Sequence, residues 1–187
     1  GDRVLDLGSG SGVGTIFCAA KAREVLAVDI SDSAVANTLH NCRQHGLRNV
    51  TVKKSDMFES VSGKFDLILA NPPYIAVAFE RENEQYTTSV RYLPALFASV
   101  KDHLTDDGRL LIQFPWWFRS RIHRLAVQHG MKVIAVDRMP AKSPGLLLTS
   151  LLYLQVGFLS TYYLLERADI ARRIDPPAPK DQLPAAA

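Results

Sequence analysis

Asp6-Leu7-Gly8-Ser9-Gly10-Ser11-Gly12 stands between a short apolar run, Arg3–Leu7, and a helix-prone segment over residues 13–22. Glycine alone combines free φ with the absence of a Cβ, so three of them at such a junction let backbone approach a ligand closely. Strand, tight loop and helix in that order also leave the first N–H groups of the helix open to that ligand. The rest of the chain keeps the rhythm. Residues 24–30 predict a second strand. Ser31, Asp32 and Ser33 offer N-cap oxygens to a helix with Val35, Leu39 and Cys42 at helical spacing and a stop at Gly46. Residues 49–53 and 65–70 predict strands three and four, the latter ended by Pro72 and Pro73, which cannot donate to a ladder. A helix over 93–103, a turn at Asp107-Gly108, a strand over 109–114, a helix over 119–129 ended by Gly130 and a strand over 132–137 follow. Such alternation predicts an α/β domain, a parallel sheet with helices on both faces.

Composition supports a single domain, since 187 residues match the roughly 100–200 of one domain. With 47% hydrophobic and 22% charged residues the bulk can bury a core, which excludes disorder there. Cys18 and Cys42 sit in apolar helical stretches and suit buried thiols in a reducing compartment, so a cytoplasmic protein is expected. The chain starts without Met or a signal-peptide pattern on what reads as a core strand, which predicts a further region upstream. The domain is expected over residues 1–170. A disordered tail is expected over 171–187, where Pro176, Pro177, Pro179, Pro184 and three closing alanines cannot build a core. Residues 143–165 carry no charge and raise the question of a membrane span. Thr149, Ser150, Gln155, Ser160 and Thr161 interrupt that run and Gly157 divides it, so a packed helix or loop followed by a strand over 161–165 is preferred. No membrane partner is expected. The formal charge of +3 permits an acidic partner such as RNA without demanding one.

The strand ends carry acids. Asp6 closes the first strand, where a carboxylate suits an amine-bearing ligand and would repel a pyrophosphate. A dinucleotide is disfavoured too because Val13 stands where its fingerprint wants the third glycine. Asp29 closes the second strand, and an ionised carboxylate there accepts both hydroxyls of a ribose. Asp56 follows the third strand, placed to accept from an adenine amino group with Met57 against the ring. Any one of these acids alone reads more simply as an N-cap or turn residue. Three of them behind one glycine loop outline a ligand with an amine, a ribose and an adenine.

The run from Val4 to Gly12, then Asp29, then Asp56 resembles the class I S-adenosylmethionine-dependent methyltransferases over roughly residues 1–137. The resemblance implies S-adenosyl-L-methionine as cofactor, with Gly8, Gly10 and Gly12 beneath it, Asp6 facing its amino acid portion, Asp29 on the ribose and Asp56 on the adenine. It also implies that residues 161–165 form an antiparallel seventh strand. The expected fold is thus a doubly wound, seven-stranded, mostly parallel sheet, Rossmann-like in the manner of methyltransferases.

Asn71-Pro72-Pro73-Tyr74 directly follows the fourth strand, at the carboxyl edge where such sheets bind ligands. A planar amino group is a poor nucleophile because its lone pair is delocalised. The Asn71 side-chain oxygen and the Pro72 carbonyl would accept its N–H bonds and orient the lone pair toward a methyl donor. Tyr74 offers a flat face for stacking. The nitrogen sheds its proton after the transfer, so no metal and no strong base is needed. None of His40, His45, His103, His123 and His129 has metal-like spacing with cysteine, and no metal is expected.

The motif is similar to one shared by methyltransferases acting on glutamine amides, adenine N6 and guanine N2. Residues 64–75, with Val28-Asp29-Ile30-Ser31, look most like the HemK-like release-factor glutamine methyltransferases. The expected substrate is therefore a protein glutamine, release-factor-like. Downstream, residues 76–81 depart from that family's Glu-Pro continuation, and the broader small-domain methyltransferase group, with its RNA-modifying members, fits equally well. An adenine N6 or guanine N2 of RNA or DNA stays open as the alternative. A non-catalytic cofactor- or partner-binding domain is the third reading, opposed by the intact loop and Asn71. Trp116, Trp117, Arg119, Arg121, His123 and Arg124 interleave aromatic and basic groups near the same edge. They are read as a helix with a solvated basic face and Trp side chains in the core, in preference to an RNA patch.

Overall fold

The computed structural model describes residues 1–71, 89–138 and 160–169. Pro72, Pro73 and Tyr74, the first part of the uncharged segment and the Pro/Ala-rich tail lie outside the described residues. The elements run β1 (Arg3–Leu7), α1 (Val13–Ala19), β2 (Glu24–Asp29), α2 (Asp32–Gln44), β3 (Val50–Lys54), β4 (Phe65–Ala70), α3 (Ser89–Ser99), β5 (Leu104–Pro115), α4 (Arg119–Gln128), β6 (Met131–Arg138) and β7 (Ser160–Arg167). The seven strands form one sheet in the order β3-β2-β1-β4-β5-β7-β6. Pairs from β3 across to β5 are parallel, and β7 lies antiparallel between β5 and β6, so the sheet is the expected mostly parallel one.

The chain moves outward from β1 to β3 and then returns across β1 to lay down β4. Crossovers on the two sides of β1 diverge, and the carboxyl ends of β1 and β4 border the crevice this opens. Alternation along each strand sorts the side chains. Leu5, Leu7, Ile68 and Ile112 face the large core, closed by Leu93, Leu96 and Phe97 of α3 and by Ile122 and Ala126 of α4. Phe65, Phe97 and Phe114 are fully buried there, each worth about 2–3 kcal/mol over exposure. On the other face α1 and α2 cover only a small cluster of Val4, Ala19 and Val25. Leu67 and Leu69 pack against that cluster and, with Leu111, Gln113 and Tyr162, line an open cleft.

Several elements differ from expectation. The helix expected over 93–103 begins at Ser89, and its last turn tightens to 3-10 geometry at Val100–His103. Asp107-Gly108 is no separate turn but part of β5. The β4–β5 register shifts between Phe65 and Leu67 to accommodate it, and a Cβ on Gly108 would stand 2.6 Å from the Phe65 carbonyl. Gly108 thus serves close approach. The tryptophans are not in the core: Trp116 is 47% and Trp117 48% exposed, in a 3-10 turn after β5. Phe118 takes the interior place, edge-on to Phe114 at 4.7 Å. Among the described residues no helix is long and apolar enough to cross a membrane.

Candidate functional site

The loop after β1 is built by left-handed backbone and by bonds from two neighbouring elements. Gly8, Gly10 and Gly12 have φ of 80°, 57° and 83°. The Gly8 and Ser9 amides donate to Val28 O at 2.8 and 3.0 Å, which ties the loop to β2. Gly10 N donates to Asp29 Oδ2 at 2.9 Å and Ser31 N to Oδ1 at 3.0 Å. From α2, the Thr38 hydroxyl donates to Gly10 O at 3.1 Å and Asn41 Nδ2 to Ser11 O at 2.8 Å. Gly12 is fixed by contact, since a Cβ there would lie 3.1 Å from Thr38 Cγ2. A Cβ on Gly10 would meet nothing within 4 Å, so its backbone is open on that side.

Asp6 lies buried below this loop, its Oδ2 accepting from Thr15 Oγ1 at 2.6 Å. Burial pushes its carboxyl above the usual range, the Thr15 hydrogen bonds oppose this, and the negative Asp29 adds to the rise. A nearby cation would relieve both the desolvation and the repulsion. Asp29 uses one lone pair of Oδ2 for Gly10 in the loop and one of Oδ1 for Ser31 at the start of α2, and an ionised carboxylate has about four, so two further donors can be accepted.

The cleft has a volume of ≈ 700 Å³, within the range of small-molecule sites. It takes in Asp6, Gly8, Gly10 and Asn71 from the residues expected at the site. Val13 and Phe17 of α1, 71% and 83% exposed, line it as well, an apolar border beside the polar loop. Asn71 is exposed and directly follows β4, across the crevice from the loop. Asp29 stands behind Gly10 through its hydrogen bond, while Gly12, Asp56 and Met57 do not line the cleft. Asp56 and Met57 follow β3, two strands away from β1, in a turn where Met57 has φ 45° and the Ser55 hydroxyl donates to Met57 O at 3.0 Å. Pro72 and Tyr74 lie outside the described residues.

Three supporting residues escaped the sequence reading. Thr15 holds Asp6, Thr38 holds Gly10, and Tyr92 of α3, buried, donates its hydroxyl to Leu7 O at 2.9 Å. Burial, then Asp6 and Asp29, push the Tyr92 phenol far up, so it stays a neutral donor. Thr38 had a signal: it is a polar residue on the buried stripe of α2, three after Val35 and four before Cys42.

Comparison with known proteins agrees with this architecture. The pattern of the family described as methyltransferase small domain matches residues 1–114. A putative protein N5-glutamine methyltransferase of Methanocaldococcus jannaschii is 39% identical over 118 residues, 63% of this chain and 56% of that protein. The release factor glutamine methyltransferase of Yersinia pestis is 32% identical over 149 residues, 71% of this chain and 53% of that protein. The chain thus spans about half the length of the curated relatives it matches. A crystal structure of ribosomal protein L11 methylase from Lactobacillus delbrueckii subsp. bulgaricus superposes with a TM-score of 0.65 at 22% identity, covering 89% of this chain and 70% of that one, a likeness of fold. With more than half its length matched by the family pattern, this chain belongs to the methyltransferase small-domain family and is homologous to the release-factor and N5-glutamine methyltransferases.

Proposed function

We propose that the chain is the catalytic domain of an S-adenosylmethionine-dependent methyltransferase that methylates the side-chain amide of a protein glutamine, as in a release factor. The observation that carries this reading is the position of Asn71 at the end of β4, sharing one cleft with Asp6 and the glycine loop. The cleft fits the cofactor: Gly10 leaves its backbone open to a nucleoside, Asp6 suits an ammonium, and Asp29 keeps lone pairs for two ribose hydroxyls. Asp56 and Met57 take the adenine end in this reading, and Gly8 and Gly12 shape the loop. When bound, the cofactor supplies a methyl group on a cationic sulfur.

The protein's own residues then have to make an amide nitrogen attack. The Asn71 side-chain oxygen and the Pro72 carbonyl accept the two amide N–H bonds and hold the nitrogen with its lone pair directed at the methyl. Tyr74 covers the planar amide. Asn71 is exposed, so water reaches this end of the cleft and removes the proton once the nitrogen has become cationic. The glutamine assignment draws on the two curated relatives whose names specify it. The full-length protein, given methyl-labelled cofactor and a cell lysate, is expected to label the protein fraction at a glutamine side chain. Label in RNA or DNA would replace glutamine by a nucleobase as substrate. Label in neither would leave a binding domain without catalysis.

A further inference from the structure

We infer that the outer edge of β6 is a dimer interface, pairing antiparallel with β6 of a second copy of this chain so that the two sheets join into one. The inference goes beyond the proposed reaction and does not depend on it. Among the described strands β6 ends the sheet order, with β7 on one side only. Its other side presents backbone N–H and C=O groups along eight residues, Met131–Arg138, a template for a further strand.

The two ends of the sheet differ in what guards them. β3, at the other end, has five residues and closes on Lys53 and Lys54, and lysines on an edge keep strands from pairing. β6 instead carries apolar residues in succession from Val133 to Val136, of which Ile134 is 40% and Val136 38% exposed. Its charges stand outside this run, Lys132 before it and Asp137 and Arg138 after it. Paired antiparallel over its full length, β6 sets Lys132 opposite Asp137 of the second copy, Val133 opposite Val136 and Ile134 opposite Ala135. Opposite charges then meet twice across the two-fold axis, with the apolar run between them. Lys132 also holds Glu166 at 3.0 Å, and an ammonium with three donors, 41% exposed, has room for a second carboxylate.

Faces decide whether this pairing is possible. A two-fold axis through the sheet keeps every residue on its own face, so opposed residues must share one. In a regular strand Lys132 and Asp137, an odd number of residues apart, lie on opposite faces, as do Val133 and Val136. The bulge in β6 changes this: its register against β7 shifts between Val133 and Ala135 and leaves Ile134 as the extra residue. Lys132 then stands beside Glu166 and Asp137 beside Tyr162, four apart on β7, so both lie on the cleft face. Val133 and Val136 stand beside Leu165 and Tyr163 and share the core face. Sliding the copies by one residue sets Lys132 opposite Arg138, a like charge on the other face. An unrelated strand would have to match the bulge as well, whereas a second β6 brings the same bulge to the axis. That makes a second copy the fitting occupant.

The test is the molar mass of the full-length protein by sedimentation equilibrium, from about 1 to 200 µM at about 0.15 M salt. Expected is a dimer with a Kd of about 10 µM, as suits an interface at the small end of the range. Ile134→Lys, an edge lysine at the axis, should leave a monomer throughout. Asp137→Lys sets like charges opposite each other twice and should weaken the dimer roughly 10-fold. Thr51→Lys, exposed on β3 at the other edge, should leave the dimer as it is. Circular dichroism and S-adenosylmethionine affinity should not move in these variants. A second measurement reads the register itself. Chains carrying Lys132→Cys and chains carrying Asp137→Cys, mixed and exposed to oxidised glutathione, should cross-link to each other, since opposed Cα atoms lie about 4.5–5.5 Å apart. Either chain alone should cross-link far less. A parent that stays monomeric, a dimer that survives Ile134→Lys and Asp137→Lys, or no excess of cross-link in the mixture would each overturn the inference while leaving the methyltransferase reading intact.

Discussion

Asp6 is the residue whose chemistry is most exposed to test, because burial and a neighbouring acid make its charge unfavourable in the folded chain. Its folded pKa is raised above that of the unfolded chain, so its contribution to stability is full below the ordinary aspartate pKa and is lost as pH rises through the raised one. Asp6→Asn removes that loss. It is expected to melt higher than the parent at pH 7, with the difference shrinking as pH falls toward 4, and to bind S-adenosylmethionine more weakly. A variant that melts higher and binds equally well would take the ammonium role from Asp6. Asp29→Ala should weaken cofactor binding by roughly 10- to 100-fold in calorimetry, since hydrogen bonds to a charged acceptor are worth about 1.5–3 kcal/mol. Unchanged affinity would remove its ribose role. The sequence made Asp6 and Asp29 candidates but not their anchoring. Thr15 is nine residues from Asp6 and Gly10 nineteen from Asp29, and only the packing of the loop between β1 and β2 brings them together.

At the level of elements, the glycine loop and the C-terminal end of α2 separate conformational from contact effects. Gly12 and Gly46 both have positive φ, 83° and 64°. A Cβ on Gly46 would meet nothing within 4 Å, whereas on Gly12 it would press on Thr38. Gly46→Ala should cost about 1 kcal/mol in urea unfolding, the left-handed penalty alone, and Gly12→Ala measurably more. Equal losses would mean that α2 can yield at Thr38. Tyr92→Phe leaves the Leu7 carbonyl without its buried donor and should cost about 1–3 kcal/mol, with the loop and hence cofactor affinity affected too. Local chemistry explains which elements could be read. Gly8 and Pro72 bracket β1 and β4, whose bounds were read to the residue, and Ser31 caps α2 by accepting from Ala34 N at 3.4 Å. The extension of β5 through Gly108 and the outward turn at Trp116 depend on register with β4 and β7, which no local pattern carries.

For the molecule as a whole, the two faces of the sheet divide the labour. α3 and α4 close one face into the main core, while α1 and α2 leave the β4, β5 and β7 side chains of the other face open as a cleft wall. Alternating strands and helices predicted the parallel crossovers. They did not say on which side of β1 the chain returns, and that choice creates the crevice between the glycine loop and Asn71. In the proposed reaction this one cleft holds the cofactor on the β1 side and the nucleophile on the β4 side. Parallel measurement of S-adenosylmethionine affinity and of turnover in Asn71→Ala, made in the full-length protein, separates the two sides. Affinity within a few-fold of the parent with turnover down roughly 100-fold is the predicted result. Undiminished turnover, or affinity falling in step with it, would contradict a transfer role for Asn71.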